Sequence, residues 1–170
     1  MSTTSAGRNG SRMPRSDAFI FFGATGDLAF KQIFPALAGL VRDSDWSIPI
    51  IGVARHGDVD SLRARATESL KAAGITDRAV LGPLQKQLRF INGSDDDPDT
   101  FRRLRVEPGT ARHPLHYLAI PPALFDQVVK LLGQSCCAQG ARVIRERPFG
   151  RNRARARGRP GAPASVCVVS

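Results

Sequence analysis

The chain lacks any apolar run long enough to cross a membrane. Its most apolar stretches, Ala18–Phe22 and residues 48–54, have the length of β-strands, whereas a membrane-spanning helix needs about 20 apolar residues. The first 15 residues are rich in Ser, Gly and Arg and contain no apolar segment, which excludes a secretory signal. We therefore expect a cytoplasmic protein without a membrane partner.

Cysteine is also scarce. The chain has 3 cysteines, and two of them, Cys136 and Cys137, are adjacent. Neighbouring cysteines do not easily form a disulfide with each other, and no Cys/His spacing resembles a zinc site. We expect reduced thiols and no metal site.

Acidic residues are few compared with basic ones, 15 against 25. The excess lies mainly at the two ends, since residues 151–170 contain five arginines and no acid, and residues 1–150 carry 20 basic and 15 acidic side chains. No aromatic residues alternate with these terminal arginines, so the stacking surface of a single-strand binder is missing. We expect no nucleic-acid partner. The arginines in question are Arg8, Arg12, Arg15, Arg151, Arg153, Arg155, Arg157 and Arg159.

Short apolar runs alternate with longer amphipathic segments between residues 17 and 150, which is typical of βαβ units. This pattern predicts an α/β fold, a Rossmann-type doubly wound and mostly parallel sheet with helices on both faces. The predicted strands are residues 18–22, 49–54, 88–91, 115–120 and 141–146. The predicted helices are residues 27–42, 60–73, 77–87, 99–106 and 123–132.

Residues 1–16 and 151–170 flank this domain as tails that we expect to be disordered. The second tail alternates Arg with Ala, Asn and Gly and shows no apolar period of 2 or 3.6 residues. Its last apolar residues, 166–169, are too few and too isolated to predict a core element.

Prolines and glycines lie inside or at the ends of the first three predicted helices. Pro35 lies inside the first helix and should kink it or leave a carbonyl unpaired. Gly74 is a plausible C-cap of the second helix, and Gly82-Pro83 should interrupt the third.

A glycine-containing turn, Gly23-Ala24-Thr25-Gly26-Asp27-Leu28-Ala29, joins the first strand to the first helix. A dinucleotide's pyrophosphate lies against a helix N-terminus, where unpaired amides and the helix dipole favour anions. Glycines are needed there because a side chain on the turn would hold the phosphate away. The spacing is G-x-x-G rather than G-x-G-x-x-G, so the turn alone is also compatible with an ordinary strand-to-helix connection.

Arg55 ends the second strand, where a nucleotide-binding sheet faces the adenosine ribose. An acid at this place accepts a hydrogen bond from the 2′-hydroxyl of NAD, whereas an arginine can bind the 2′-phosphate of NADP. Arg55 has no acidic neighbour in the chain, which favours NADP. An exposed arginine at a strand end is the alternative interpretation.

A charged cluster, Arg145-Glu146-Arg147-Pro148-Phe149-Gly150, follows the fifth strand. Ligands collect at the carboxyl ends of strands in open α/β sheets, so this cluster is a candidate site. Pro148 would rigidify this cluster. The alternative interpretation is a polar segment where the chain leaves the fifth strand, without a binding role.

Five segments in this order resemble the glucose-6-phosphate dehydrogenase family. The resemblance covers about residues 17 to 151, which correspond to the family's N-terminal NAD(P)-binding domain. The matching segments are Gly23–Ala29 (GATGDLA), residues 33–37 (IFPAL), residues 52–55 (GVAR), residues 117–122 (YLAIPP) and residues 146–151 (ERPFGR, against E-K-P-F-G-R in the family).

The resemblance implies oxidation of glucose 6-phosphate to 6-phosphogluconolactone with NADP as cofactor, in the pentose phosphate pathway. It implies sugar-phosphate contacts from Lys31 and from Arg147, the latter replacing a lysine that contacts both substrate and cofactor. An arginine is not equivalent to a lysine there, because its planar fork is larger than an ammonium. The implied cofactor-binding residues are Gly23, Thr25, Gly26, Asp27, Leu28, Arg55, Tyr117, Pro121 and Arg147.

The family's catalytic histidine segment and its dimer interface have no counterpart in this chain. We assign no catalytic residue, and none of His56, His113 and His116 lies in a matching motif. We interpret the sequence after about residue 151 as the product of a truncated gene or a shifted reading frame. The alternatives are a stand-alone NADP-binding module without turnover and, less favoured, a DNA-associating protein that uses its arginine tail.

Overall fold

The computed structural model describes residues 15–43, 46–135, 137 and 140–145, together with the backbone of residues 165–168. Within these residues a six-stranded sheet has the order β3-β2-β1-β4-β5-β6, in which the first five strands are parallel and β6 is antiparallel to β5. The predicted α/β fold with a mostly parallel, doubly wound sheet is confirmed. The strands are β1 (Ala18–Phe22), β2 (Ile50–Ala54), β3 (Leu88–Asn92), β4 (Pro114–Leu118), β5 (Arg142–Arg145) and β6 (Ser165–Val168).

Helices cover both faces of the sheet. A π-helical segment, Ala29–Ile33, continues into α1, and a 3₁₀ turn, Pro122–Leu124, precedes α5. The helices are α1 (Phe34–Asp43), α2 (Val59–Ala72), α3 (Arg78–Gln87), α4 (Pro98–Val106) and α5 (Phe125–Gln134).

The alternation of side chains along β1 divides the core into two layers. Phe19 and Phe21 belong to the layer formed with α1, α2 and α3, whereas Ile20 and Phe22 belong to the layer formed with α4 and α5. Every residue of β1 and β2 is buried, as expected for parallel strands covered on both faces. The continuous apolar runs of the sequence correspond to these two central strands.

The predicted disturbance at Pro35 takes the form of a wider helical turn. The amide of Phe34 donates to the carbonyl of Ala29, which closes a π turn immediately before the proline. A proline ring in a regular α-helix clashes with the carbonyl four residues earlier, and the extra residue in the turn moves that carbonyl away. Lys31 lies within this π turn, and its side chain is exposed.

The helix-ending role of Gly74 is confirmed, because its φ is 75° and its amide donates to the carbonyl of Lys71. The predicted interruption at Gly82-Pro83 is wrong, since α3 continues from Arg78 to Gln87 with Pro83 inside it. Val80 and Leu84, on either side of the proline, are buried in the core. Their packing keeps the segment helical although Pro83 cannot donate a backbone hydrogen bond.

The expectation that no element follows residue 151 is corrected for residues 165–168. They form β6, which pairs with β5 in the register Val143↔Cys167 and Ile144↔Val166. Backbone hydrogen bonds to an open sheet edge need no long apolar period, so the pattern analysis missed this strand. The other residues of the two predicted tails, apart from residues 15 and 16, lie outside the described residues, and the domain boundaries at 17 and 150 remain predictions.

Candidate functional site

The strand order creates a crevice at the carboxyl ends of β1 and β4. The chain runs from β1 to β2 and β3 on one side, and then returns to β4 on the other side of β1. Ligands bind at such a switch point in open α/β sheets because the connections diverge there and leave a gap. The turn after β1, residues 23–28, lies at this gap.

The backbone of this turn depends on Gly23. Its φ is 79°, and a Cβ atom added there would overlap the carbonyl oxygen of Ala119, the residue that follows β4. The amide of Ala119 in turn donates to the carbonyl of Phe22 at 3.2 Å. A glycine is therefore required for the turn to lie against the end of β4.

The turn is also anchored to β2. The amides of Gly23 and Ala24 both donate to the carbonyl of Val53, at 3.0 and 3.1 Å. A Cβ atom on Gly52 would come within 2.9 Å of the side chains of both Ala24 and Leu62. The small residues in β2 and in the turn thus allow close approach of the turn, the strand and α2.

The helix that follows begins with available amides. Gly26 donates to the carbonyl of Gly23 at 2.9 Å, and Phe30 donates back to Gly26 at 3.3 Å. No described residue accepts a hydrogen bond from the amides of Asp27 and Leu28. Unpaired first-turn amides are the groups that bind a phosphate at a helix N-terminus.

Arg55 lies at the same edge of the sheet, directly after β2. It is exposed, and within the described residues its guanidinium makes no hydrogen bond and no ion pair. Its charge is therefore available to a ligand anion. This position fits both an arginine that faces the adenosine ribose and an exposed arginine at a strand end, so the role of Arg55 stays a prediction.

The fold also brings two acids toward Arg55. Gly93 donates to the carbonyl of Ala54 at 2.9 Å, so the loop after β3 runs beside the end of β2. Burial raises the pKa of Asp95, and the positive charge of Arg55 opposes that rise. The pKa of Asp96 is lowered, mainly by a hydrogen bond from the Ser94 hydroxyl and to a smaller extent by the charge of Arg55. Arg55 therefore has no acidic neighbour next to it in the sequence, but it does have acidic neighbours in the folded structure.

The other predicted site residues are more dispersed. Thr25 and Asp27 are exposed on the turn, and Pro121 is exposed in the connection after β4. Tyr117 is the penultimate residue of β4 and is partly buried, with its ring centroid 6.3 Å from that of Phe19. Arg147 and the adjacent Pro148 lie outside the described residues.

The structure adds Arg65 to the site, which the sequence analysis missed. Its Nη2 donates to the carbonyl of Gly26 at 3.1 Å, and its guanidinium lies 5.1 Å from the ring centroid of Phe30. It thus holds the turn from the side of α2. The helical spacing of Leu62, Arg65 and Ser69 was the available signal, since two buried residues flank the arginine on one face.

A depression of about 450 Å³ lies beside this arginine, between the glycine turn and the start of α2. Thr25, His56, Ser61 and Arg65 are among its lining residues. Asp58 and Ser61 form a capping box that fixes the start of α2. The depression therefore lies between the glycine turn and the N-terminus of α2. One of its lining residues, His56, directly follows Arg55.

Within the described residues, no group of three His, Cys, Asp or Glu side chains could hold a metal ion. No helix in the same part of the chain has the length and apolarity needed to span a membrane.

Comparison with protein families gives a match over most of the chain. The family described as "Glucose-6-phosphate dehydrogenase, NAD binding domain" matches residues 20–158. Glucose-6-phosphate 1-dehydrogenase 1 of Mycobacterium tuberculosis is 39% identical over 142 residues, which cover 83% of this chain and 30% of that protein. Glucose-6-phosphate 1-dehydrogenase of Saccharomyces cerevisiae is 36% identical over 151 residues, covering 80% and 30%.

Solved structures give the same result. The crystal structure of glucose-6-phosphate 1-dehydrogenase from Mycobacterium avium has a TM-score of 0.74 and 41% identity, covering 79% of this chain and 30% of that one. A glucose-6-phosphate dehydrogenase in complex with its substrate glucose-6-phosphate has a TM-score of 0.69 and 28% identity, covering 82% and 32%. The chain thus spans about 30% of the length of the curated relatives named above. With its glycine turn, strand order and family match, the chain belongs to the glucose-6-phosphate dehydrogenase family, as the NAD-binding domain of that family.

Proposed function

We propose that the chain binds NADP in the crevice at the carboxyl ends of β1 and β4. The observation that carries this proposal is the placement of the glycine turn, which lies against Ala119 and leaves the amides of Asp27 and Leu28 without described acceptors. The pyrophosphate binds at residues 23–28, with Thr25 at the exposed corner of the turn. The nicotinamide end lies toward Tyr117 and Pro121, on the β4 side of the crevice.

Arg55 supplies the preference for NADP over NAD. An exposed guanidinium without an ion pair among the described residues can bind the 2′-phosphate through two parallel hydrogen bonds. Asp95 and Asp96 bring negative charge to the same place and weaken this preference. The chain therefore favours NADP by less than the arginine alone would give.

Thermal unfolding with increasing NADP or NAD tests the cofactor assignment, because a ligand that binds only the folded state raises the melting temperature. We expect a larger shift with NADP. Arg55→Ala should reduce the NADP shift and leave the NAD shift unchanged. Arg78→Ala is the matched control, since Arg78 is an exposed arginine on α3 with no ion pair to a described residue. Absence of a shift with either nucleotide would contradict the proposal.

The relatives are named for the oxidation of glucose 6-phosphate, and we propose that this chain carries the cofactor-binding half of that reaction in the cytoplasm. The resemblance assigns contacts with the sugar phosphate to Lys31, and to Arg147 outside the described residues. The described chain supplies the binding surface for the cofactor, and no catalytic base is assigned in it. Formation of NADPH from NADP and glucose 6-phosphate, followed by absorbance, separates an active dehydrogenase from a binding module.

The alternative function is a stand-alone NADP-binding module. It is favoured by the placement of two of the three described histidines, because His116 is buried in β4 and His113 directly precedes that strand, away from the crevice. The third, His56, is exposed and lines the depression beside the glycine turn. Nucleotide binding without NADPH formation would support this alternative. Turnover dependent on glucose 6-phosphate would exclude it.

A further inference from the structure

A second cavity of about 490 Å³ lies at the opposite edge of the sheet from the glycine turn. Its walls include Pro114, the first residue of β4, which pairs with Ala18, the first residue of β1. The carboxyl-end crevice and this amino-end cavity are therefore separated by the length of the strands. The volume lies in the range of small-molecule sites, about 300–1,000 Å³.

Three basic side chains line this amino-end cavity: Arg105 near the end of α4, and Arg112 and His113 in the loop before β4. Within the described residues, neither arginine forms an ion pair. Arg102 and Arg103 on the same helix, in contrast, both pair with Asp99, at 3.2 and 3.6 Å. Asp99 thus balances the charge of Arg102 and Arg103, whereas no described carboxylate forms an ion pair with Arg105 or Arg112.

A carboxylate holds the backbone of the loop that carries Arg112. Asp17 accepts hydrogen bonds from the amides of Arg112 and His113, at 2.6 and 2.7 Å. These bonds fix the backbone of the loop. The donor from Arg112 is its backbone amide, and its guanidinium is not among the donors to Asp17 in the described chain.

The segment before β5, which also lines the cavity, is ordered by close backbone packing. Gly140 has a φ of 67°, and a Cβ atom there would lie 2.5 Å from the carbonyl oxygen of Arg112 and 3.0 Å from Nδ1 of His113. The segment before β5 therefore lies directly against the basic loop. A larger residue at Gly140 would push the two apart.

His116 adds a buried polar group to the same cavity. It is 1% exposed, and its Nε2 lies 3.2 Å from the carbonyl oxygen of Cys137. Burial lowers the pKa of His116 to about 4, so the ring is neutral at pH 7 and Nε2 is the donor to that carbonyl. Its Nδ1 is an acceptor that no described residue satisfies, which is uncommon for a buried polar atom. Because an acceptor needs a donor, this atom can bind water or a protonated phosphate oxygen but not a bare anionic oxygen.

We propose that the amino-end cavity binds a small organic anion that carries phosphate or carboxylate groups, held by Arg105 and Arg112, in a site separate from the nucleotide crevice. Guanidinium groups bind both kinds of anion through their planar, forked donors. The fixed loop places one of the two arginines, and α4 places the other. This inference does not depend on nucleotide binding.

Calorimetric titration of the full chain with inorganic phosphate and, separately, with citrate at one fixed ionic strength tests the proposal. We expect at least one of the two anions to bind, and the double variant R105Q/R112Q to weaken it by roughly tenfold or more, as expected when two charge-assisted contacts are lost. Arg102→Gln is the matched control for the single variant Arg105→Gln: each removes one charge from α4, but Arg102 does not line the cavity, so its loss should change the affinity by less than about twofold. Binding of phosphate alone or of citrate alone would identify the anionic group preferred.

Three results would overturn the proposal: no binding of either anion, an equal loss in Arg102→Gln, or full competition between the anion and NADP. Equal loss would mean general charge attraction, and competition would place the anion in the crevice. The three arginines are all exposed, so the variants should fold, and an unchanged melting temperature without ligand verifies this. The NADP-induced shift of R105Q/R112Q should equal that of the unmodified chain, which keeps this test separate from that of the proposed function.

Discussion

The carbonyl oxygen of Ala119 occupies the place where a side chain on Gly23 would begin. Gly23 directly follows β1 and Ala119 directly follows β4, so their contact joins the two sides of the crevice. The contact leaves no freedom at position 23, because the backbone there also has a φ of 79°.

Gly23→Ala should therefore destabilise the fold and abolish nucleotide binding. A positive φ alone costs a non-glycine residue about 1 kcal/mol, and overlap with a backbone atom adds to it, so we expect a loss of about 2 kcal/mol or more in the free energy of unfolding. Urea denaturation and an NADP titration measure the two effects. Gly39→Ala is the control, since Gly39 lies in α1 with no atom near the added Cβ and should become more stable by up to about 1 kcal/mol. A stable, NADP-binding Gly23→Ala variant would refute the assigned role of the turn.

Asp95→Asn should increase the preference for NADP over NAD. Removing a negative charge beside Arg55 strengthens attraction to the 2′-phosphate, which NAD does not have. We expect a severalfold gain in NADP affinity, on the order of 1 kcal/mol, with little change for NAD. Comparison of the two dissociation constants provides the measurement, with Asp126→Asn on α5 as the charge-matched control. Equal gains for both nucleotides would show that Asp95 acts on overall charge rather than on the 2′-phosphate.

Arg65→Met should weaken NADP and NAD binding by similar factors. The substitution keeps the apolar stem but removes the hydrogen bond to the carbonyl of Gly26 and the charge over Phe30. Loss of one such hydrogen bond and one cation–π contact corresponds to about 1–2 kcal/mol in the free energy of unfolding. Denaturation and the two nucleotide titrations separate stability from binding. An effect confined to NADP would instead indicate that Arg65 contacts the 2′-phosphate.

His116 should make the fold less stable in mild acid. Its pKa falls from 6.5 to about 4 on folding because the ring is buried, so between these values the unfolded chain binds more protons than the folded one. The contribution to stability is complete above pH 6.5 and is lost as the pH falls toward 4, with a total on the order of 3 kcal/mol. His116→Gln, whose amide nitrogen can replace Nε2, should lose this part of the pH dependence. Denaturation at pH 7 and pH 5 measures it, and equal pH effects in both proteins would contradict the assignment.

Several features of the fold could be predicted from the sequence because they depend on neighbouring residues. Continuous apolar runs indicated the two buried central strands, and Gly74 marked the end of α2 through its positive φ. The glycine turn was predicted from its place between a strand and a helix. The expectation of NADP rested on Arg55 and on the resemblance to the family, because G-x-x-G alone also fits an ordinary turn.

Pro83 and β6 show where the local pattern was insufficient. Pro83 remains helical because Val80 and Leu84 are packed in the core, and β6 forms because β5 offers an edge for pairing. In both cases a contact from outside the segment decides the local structure.

The sequence by itself determined the five parallel strands, the glycine turn that we propose as a phosphate site and the arginine that follows β2. Only the tertiary structure decided that Asp95 lies near Arg55, that Arg65 holds the turn, and that Arg105 and Arg112 line one cavity. The reason is that hydrophobic period and turn chemistry act over a few residues, whereas the neighbours of a charge depend on which strands and loops the sheet order places side by side.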